Sequence, residues 1–220
     1  MLKILYEDNH VLCVEKPVNI PVQADSTKDI DMLEMCKSYI KEKYQKPGNV
    51  WLGLVHRLDR PVGGCMVFAK TSKAASRLSE SIRTHMVEKE YFAVVEGNPG
   101  KQGILEDYLE KNTKTNLVKV TDKAHGKFAR LRYEVLSTKG NLSLVHIHLE
   151  TGRPHQIRVQ FSSRGYPLYN DQRYNPHAKK GQIALWAVRL TFPHPVTKQP
   201  VTVTDFPKEP WNGFEVRQYG

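Results

Sequence analysis

Trp51-Leu52-Gly53-Leu54-Val55-His56-Arg57-Leu58-Asp59-Arg60, with Gly63-Gly64 just after it, is the stretch from which the chain is read. The apolar run 51–55 predicts a buried strand, and the glycines predict the tight turn that follows. Asp59 then lies at a strand end with an arginine on either side. Two cations beside a carboxylate favour its ionised form. A charged, positioned carboxylate suits a nucleophile. A structural ion pair at a strand end explains the pentapeptide equally well.

Working outward, apolar runs bounded by turn residues predict strands at 10–14, 65–69, 90–95 and 184–192. Residues 129–136 alternate, with Leu131, Tyr133 and Val135 on one face and Arg130, Arg132 and Glu134 on the other. Residues 143–149 alternate as well. Helical spacing of Met32, Met35, Cys36, Tyr39 and Ile40 predicts a helix over 31–44. Thr71-Ser72 offers an N-cap for a second helix to about His85, and Pro154 suits the first turn of a third, ending near Ser163. No repeat, linker or low-complexity segment interrupts the chain. The expected fold is α+β: a single domain, residues 1–220, built on a largely antiparallel mixed β-sheet with flanking helices.

The 220 residues include 33 Lys and Arg against 23 Asp and Glu, a net charge of +10. That excess points to a polyanion, most simply nucleic acid. No long basic amphipathic helix favours an anionic membrane instead. The charge is also local. Segment 111–132 holds Lys111, Lys114, Lys119, Lys123, Lys127, Arg130 and Arg132 against the single acid Asp122. It reads as a mobile basic hairpin gripping phosphates through Lys119, Lys123, Lys127 and Arg130; a solvated loop is the plainer reading.

Cys13, Cys36 and Cys65 are odd in number and far apart, which excludes a disulfide framework and a zinc knuckle. The N-terminus has no apolar core of a signal peptide, and no run approaches the ~18 apolar residues of a membrane helix. A cytoplasmic protein with no membrane partner is expected. His146-x-His148 sets two imidazoles on one strand face, yet no third ligand stands at metal-site spacing, so no metal is expected. Phosphate-binding, dinucleotide-binding and serine-hydrolase signatures are missing. His194 between Pro193 and Pro195 reads as turn structure, and Tyr91 alone would be an ordinary core tyrosine.

A second constellation is Thr151-Gly152-Arg153-Pro154-His155-Gln156-Ile157-Arg158. On a helix from Pro154, Ile157 and Phe161 pack inward while His155 and Arg158 share another face. Arg153 would stand at the positive helix N-terminus, favourable for phosphate. Arg158 would be free to meet a carboxylate such as Asp59.

Together these stretches resemble the RluA-type pseudouridine synthases. Asp8-x-x-x-Leu12-x-Val14-x-Lys16-Pro17 is similar to the family's opening motif, and His56-Arg57-Leu58-Asp59-Arg60 to its catalytic motif. Lys89-x-Tyr91-x-Ala93-x-Val95-x-Gly97 resembles the tyrosine motif. Thr151 to Arg158, followed by Gly165-x-Pro167-Leu168 and Asp171-x-x-Tyr174, resembles the third. Leu185 with Leu190-x-Phe192-x-His194-Pro195 resembles the closing motif. Five motifs in order make the likeness specific.

The resemblance implies the pseudouridine synthase fold and conversion of uridine to pseudouridine in structured RNA, ribosomal or transfer, without metal or cofactor. It makes Asp59 the nucleophile toward the ribose or the pyrimidine ring. Tyr91 stacks on the uracil and assists proton removal, and Arg158 pairs with Asp59. Arg57 fills the gap left by a flipped nucleotide, and Leu185 walls the base. His56, Leu58, Arg60, Arg153, His155 and Gln156 complete the expected substrate site. A stand-alone, monomeric catalytic domain without the small N-terminal RNA-binding domain of many relatives is expected. The chain departs from the family at Val62 and Gly63, Asn19, Gln160 and Trp186, which bears on surrounding hydrogen bonds more than on the catalytic trio. Rival expectations are a catalytically silent RNA-binding or ribosome-assembly factor, and a metal-dependent phosphodiesterase built on His146 and His148.

Overall fold

The computed structural model describes residues 2–25, 27, 29–209 and 211–220. The chain forms two compact units: Met1–Glu88 with Ala187–Asp205, and Lys89–Trp186 with Phe206–Gly220.

The first unit begins with β1 (Ile4–Glu7) and β2 (Val11–Lys16), an antiparallel pair. Helix α1 (Met32–Lys43) follows. The Asp31 carboxylate accepts from the Glu34 N–H at 2.9 Å, a cap of the kind worth about 1 kcal/mol. Of the predicted stripe, Met32, Cys36 and Ile40 are buried and Met35 and Tyr39 half-buried. The two-residue β3 (Gly53–Leu54) and β4 (Gly63–Ala69) come next, then α2 (Ser72–Arg83), capped by the Thr71 hydroxyl as expected. Strand β4 is buried throughout, with β2 and β3 antiparallel to it. Cys13, Cys65, Val67, Ala74 and Leu78 pack in this unit's core.

In the second unit, β5 (Glu88–Glu96), β6 (Gln102–Asn112), β7 (Leu117–Thr121), β8 (Lys127–Lys139) and β9 (Leu142–Leu149) pair in the order β5-β9-β8-β6-β7. Every pair is antiparallel. The alternation at 129–135 is realised: Ala129, Leu131 and Tyr133 are buried while Arg132 and Glu134 are exposed. Helix α3 (Gln156–Ser162) packs Val159 with Leu109, Val118 and Ala129. Strand β10 (Leu185–Pro193) starts here and continues into the first unit, where β11 (Pro200–Thr204) pairs with it. The whole is α+β and largely antiparallel, as expected.

Three local expectations need correction. The predicted strand 51–55 shrinks to Gly53–Leu54, and Trp51 is 51% exposed, its ring folded back over Gly53. Gly63-Gly64 is no turn but the start of β4. Gly64 has φ 116°, and a Cβ there would lie 2.2 Å from the Ala187 carbonyl oxygen; only glycine admits that approach. Helix α3 starts at Gln156 rather than Pro154, because His155 holds a left-handed φ of 50°. Among the described residues, no helix is long and apolar enough to cross a membrane.

Candidate active site

Asp59 sits half-buried in the loop between β3 and β4. Its carbonyl accepts from the Val62 N–H at 2.9 Å, which closes the loop locally. The neighbours of Asp59 are pinned one by one. Leu58 is buried at 7% exposure and acts as the loop's apolar anchor. His56 Nε2 accepts from the Val67 N–H on β4 at 3.0 Å. Arg60 does not flank the carboxylate as the sequence suggested. Its guanidinium turns to Asp25 and Asp29, and Nε donates to the Asn19 carbonyl at 3.2 Å. Asn19 itself stands at φ 63°, a left-handed conformation that asparagine tolerates better than most residues. Arg57 is exposed.

The cation that matters beneath this loop is Lys16, which sequence reasoning quoted only as a motif member. It is fully buried at the end of β2. Its Nζ donates to the carbonyls of Pro17 at 3.0 Å, Arg60 at 2.9 Å and Val62 at 2.6 Å. Three acceptors match the three N–H groups of an ammonium. Burial pulls its pKa down to about 7; the charge of Asp59 resists that pull, and Arg60 adds to it. The sequence signal available was a lysine two places after the apolar run Val11–Val14, in the same strand.

In the second unit, Tyr91 is buried in β5 opposite Ile147. Leu185 is buried at 4% exposure. Arg158, 5% exposed, makes a bidentate pair with the fully buried Asp171: Nε to Oδ2 at 2.8 Å, the other nitrogen to Oδ1 at 2.7 Å. Its guanidinium carbon is 5.2 Å from the centre of the Tyr174 ring. His155 Nδ1 is 2.7 Å from the Tyr174 hydroxyl. Asp171-x-x-Tyr174 therefore fixes Arg158 and His155, a role the sequence did not disclose. A buried, doubly bonded guanidinium has little rotamer freedom.

Gln156 stitches its own loop. It accepts from the Arg153 N–H at 3.0 Å and the Thr151 hydroxyl at 2.8 Å, and donates to the Arg130 carbonyl at 3.1 Å. Arg153 does not stand at the helix start as expected; its Nε donates to the Phe128 carbonyl at 2.8 Å. Near it, Lys89 has its pKa lowered by burial and by Arg153.

The basic segment 111–132 is built on antiparallel strands: the end of β6 forms a hairpin with β7, and β8 opens after the turn at 122–126. Lys119 lies 3.2 Å from Glu110, and Arg130 reaches Glu106 and Glu150, each at 2.9 Å. Lys123 and Lys127 are exposed. His194 caps its turn, with Nδ1 accepting from the Thr197 N–H at 3.0 Å, while Nε2 lies 2.7 Å from Asp8. The opening and closing motifs are thus joined. The two-histidine reading also changes, because strand pairing sets Glu90 opposite His148 and supplies the third side chain. The expected trio is distributed as Asp59 in the first unit, and Tyr91 and Arg158 in the second.

The sequence matches a family profile described as RNA pseudouridylate synthase over residues 10–163. It is 32% identical over 214 residues to ribosomal large subunit pseudouridine synthase D of Zymomonas mobilis, aligning 91% of this chain and 67% of that protein. It is 31% identical to ribosomal large subunit pseudouridine synthase C of Vibrio vulnificus, aligning 91% and 64%. The chain thus spans about two thirds or less of these relatives' lengths. Among solved structures, human RNA pseudouridylate synthase domain containing 4 superposes with a TM-score of 0.81 at 20% identity. That match covers 98% of this chain and 92% of the human one, and shows a shared fold.

Proposed function

The chain belongs to the RNA pseudouridylate synthase family, and from that premise we propose that it isomerises uridine to pseudouridine in structured ribosomal or transfer RNA, with Asp59 as nucleophile. The observation that carries the reading is the construction of the Asp59 loop. Lys16 binds the Arg60 and Val62 carbonyls, His56 takes the Val67 N–H, Leu58 is buried and Arg60 binds the Asn19 carbonyl, while Asp59 stays half exposed and Arg57 exposed. A positioned nucleophile that needs no reorganisation is what covalent catalysis requires.

In this reading both units, residues 1–220, act as one catalytic domain on one nucleotide. The target uridine leaves the stack at a cost of a few kcal/mol, and Arg57 fills the space it vacates. The Asp59 carboxylate forms a bond to the ribose or to the pyrimidine ring. The carbon–nitrogen glycosidic bond breaks and the base turns while retained against Tyr91 and Leu185; a carbon–carbon bond from the ribose to C5 forms, the bond to Asp59 breaks to return the free carboxylate, and N1 gains a proton as C5 loses one. Tyr91 assists loss of the C5 proton, and Asp171 holds Arg158, the basic member of the expected trio. Atoms balance without oxidant, metal or cofactor, because product and substrate are isomers. The protein works as a cytoplasmic monomer whose partner is RNA.

Asp59→Asn tests the assignment. We expect pseudouridine formation to fall by on the order of 10⁶, as when a member of a concerted catalytic unit is removed, with RNA affinity within a few-fold of the parent. Multiple turnover by the variant would refute the nucleophile. A parent that binds RNA but forms no pseudouridine in any cellular RNA would establish a silent binding factor instead.

A further inference from the structure

Glu90 is 6% exposed, yet it is a carboxylate on a strand. Burial of an anion requires a partner, and His146 Nε2 provides one at 2.8 Å from Glu90 Oε2. In the β5–β9 register Glu90 stands directly opposite His148, and Phe92 opposite His146. Residues two apart on a strand share a face, so both imidazoles lie on the Glu90 side. The rings of His146 and His148 have centroids 4.6 Å apart. One ligand atom from each of the three residues lies within 4.8 Å of the others. Burial grades outward from Glu90, through half-buried His146, to exposed His148. The one cation set opposite His148, Arg132, is drawn to Glu150 at 2.9 Å.

We propose that Glu90, His146 and His148 bind a divalent transition-metal ion of the zinc, cobalt or nickel class. Two imidazole nitrogens and one carboxylate oxygen are the donor set such ions accept, at about 2 Å per bond. Water from the exposed His148 side completes the shell. Drawing the ligand atoms together from within 4.8 Å takes side-chain rotation and no strand movement. The ion would clasp β5 to β9 one residue from Tyr91, on the opposite face of the strand. It takes no part in the isomerisation.

The test uses the whole, tag-free chain, stripped with chelator and titrated with Co²⁺ by its visible absorption, with Zn²⁺ as competitor. One equivalent is expected to bind saturably and to be displaced by Zn²⁺. Loss of an outer-shell partner alone costs a metal site 10- to 100-fold, so His148→Ala and Glu90→Gln should each weaken binding by at least ~10-fold. His148 is exposed, so its variant folds; circular dichroism matching the parent verifies both. Absence of saturable binding by the parent, or parental affinity in either folded variant, overturns the proposal.

Discussion

Lys16 carries three N–H groups into a space lined by three carbonyls, beneath the loop that presents Asp59. Lys16→Met keeps the chain's bulk and strips those carbonyls of their donor. Each buried acceptor left unsatisfied costs about 1–3 kcal/mol, so the variant should lose at least ~2 kcal/mol by denaturant unfolding. The pH dependence has a definite sign. With a folded pKa near 7 against an ordinary 10.5, the unfolded chain binds the extra proton between those values. Stability therefore rises with pH across that window, and the gap between parent and Lys16→Met should widen from pH 7 to pH 9. An unchanged gap would place the titration elsewhere. Arg57 and Arg158 divide by a different measurement. Arg57→Ala should slow reaction on folded RNA more than on a short single strand, which has no gap to fill. Arg158→Ala should fail on both; equal losses by both variants on both substrates would merge their roles. Asp59, Tyr91 and Arg158 were expected because the family resemblance assigns them roles. Lys16 and Asp171 stood in the family's motifs without a role, because a hydrogen bond between positions 16 and 62, or 158 and 171, leaves no periodic mark on the sequence.

Among the elements, the first two helices were read well because capping and amphipathic spacing are local: Thr71 and the Met32, Cys36, Ile40 stripe stand where expected. Strand β3 was overread and Gly63-Gly64 misread, since only the tertiary approach of Ala187 explains Gly64. Gly64→Ala should therefore destabilise severely, with loss of soluble protein on expression as the check. Strand β1 went unseen, yet it carries Glu7, which gathers α1 to the sheet. Glu7 accepts from Lys43 at 2.7 Å, Tyr39 and Tyr44 at 2.8 Å each, and Lys70 at 2.8 Å. Burial alone would raise its pKa, but the donors prevail and hold it near 2. A depressed carboxylate contributes fully above its ordinary 4.5 and loses that contribution as pH falls toward 2. Glu7→Gln should cost on the order of 2 kcal/mol at neutral pH and flatten the acid limb of a melting-temperature profile between pH 4.5 and 2. A parallel acid limb in both proteins would discharge Glu7 from that role.

At the scale of the whole molecule, the net charge of +10 sets how the chain meets a polyanion. Counting residues 111–132 identified the basic excess, but the count could not see that acids from other strands face it. Glu106 and Glu110 come from β6 and Glu150 lies just beyond β9, so Arg130 is held by two carboxylates and Lys119 stands beside one. An exposed lysine pair of this kind is worth at most about 1 kcal/mol, so Lys119 can exchange Glu110 for a phosphate. Lys123 is exposed in the β7–β8 turn and Lys127 is exposed where β8 begins. Replacing Lys119, Lys123 and Lys127 together by Gln should weaken RNA binding and flatten its salt dependence. Each lost phosphate contact removes about 0.7 to 0.9 from the log–log slope, so three contacts change it by roughly 2 to 3. Turnover at saturating RNA should hardly move, because phosphate contacts position the substrate without touching the reacting atoms. If Lys119 remains with Glu110 when RNA binds, the slope changes by only two contacts, and Lys119→Gln alone leaves it unchanged. A salt titration of the triple and single variants against the parent reads out both cases, and an unaltered slope in the triple variant would reduce this surface to a solvated strand pair.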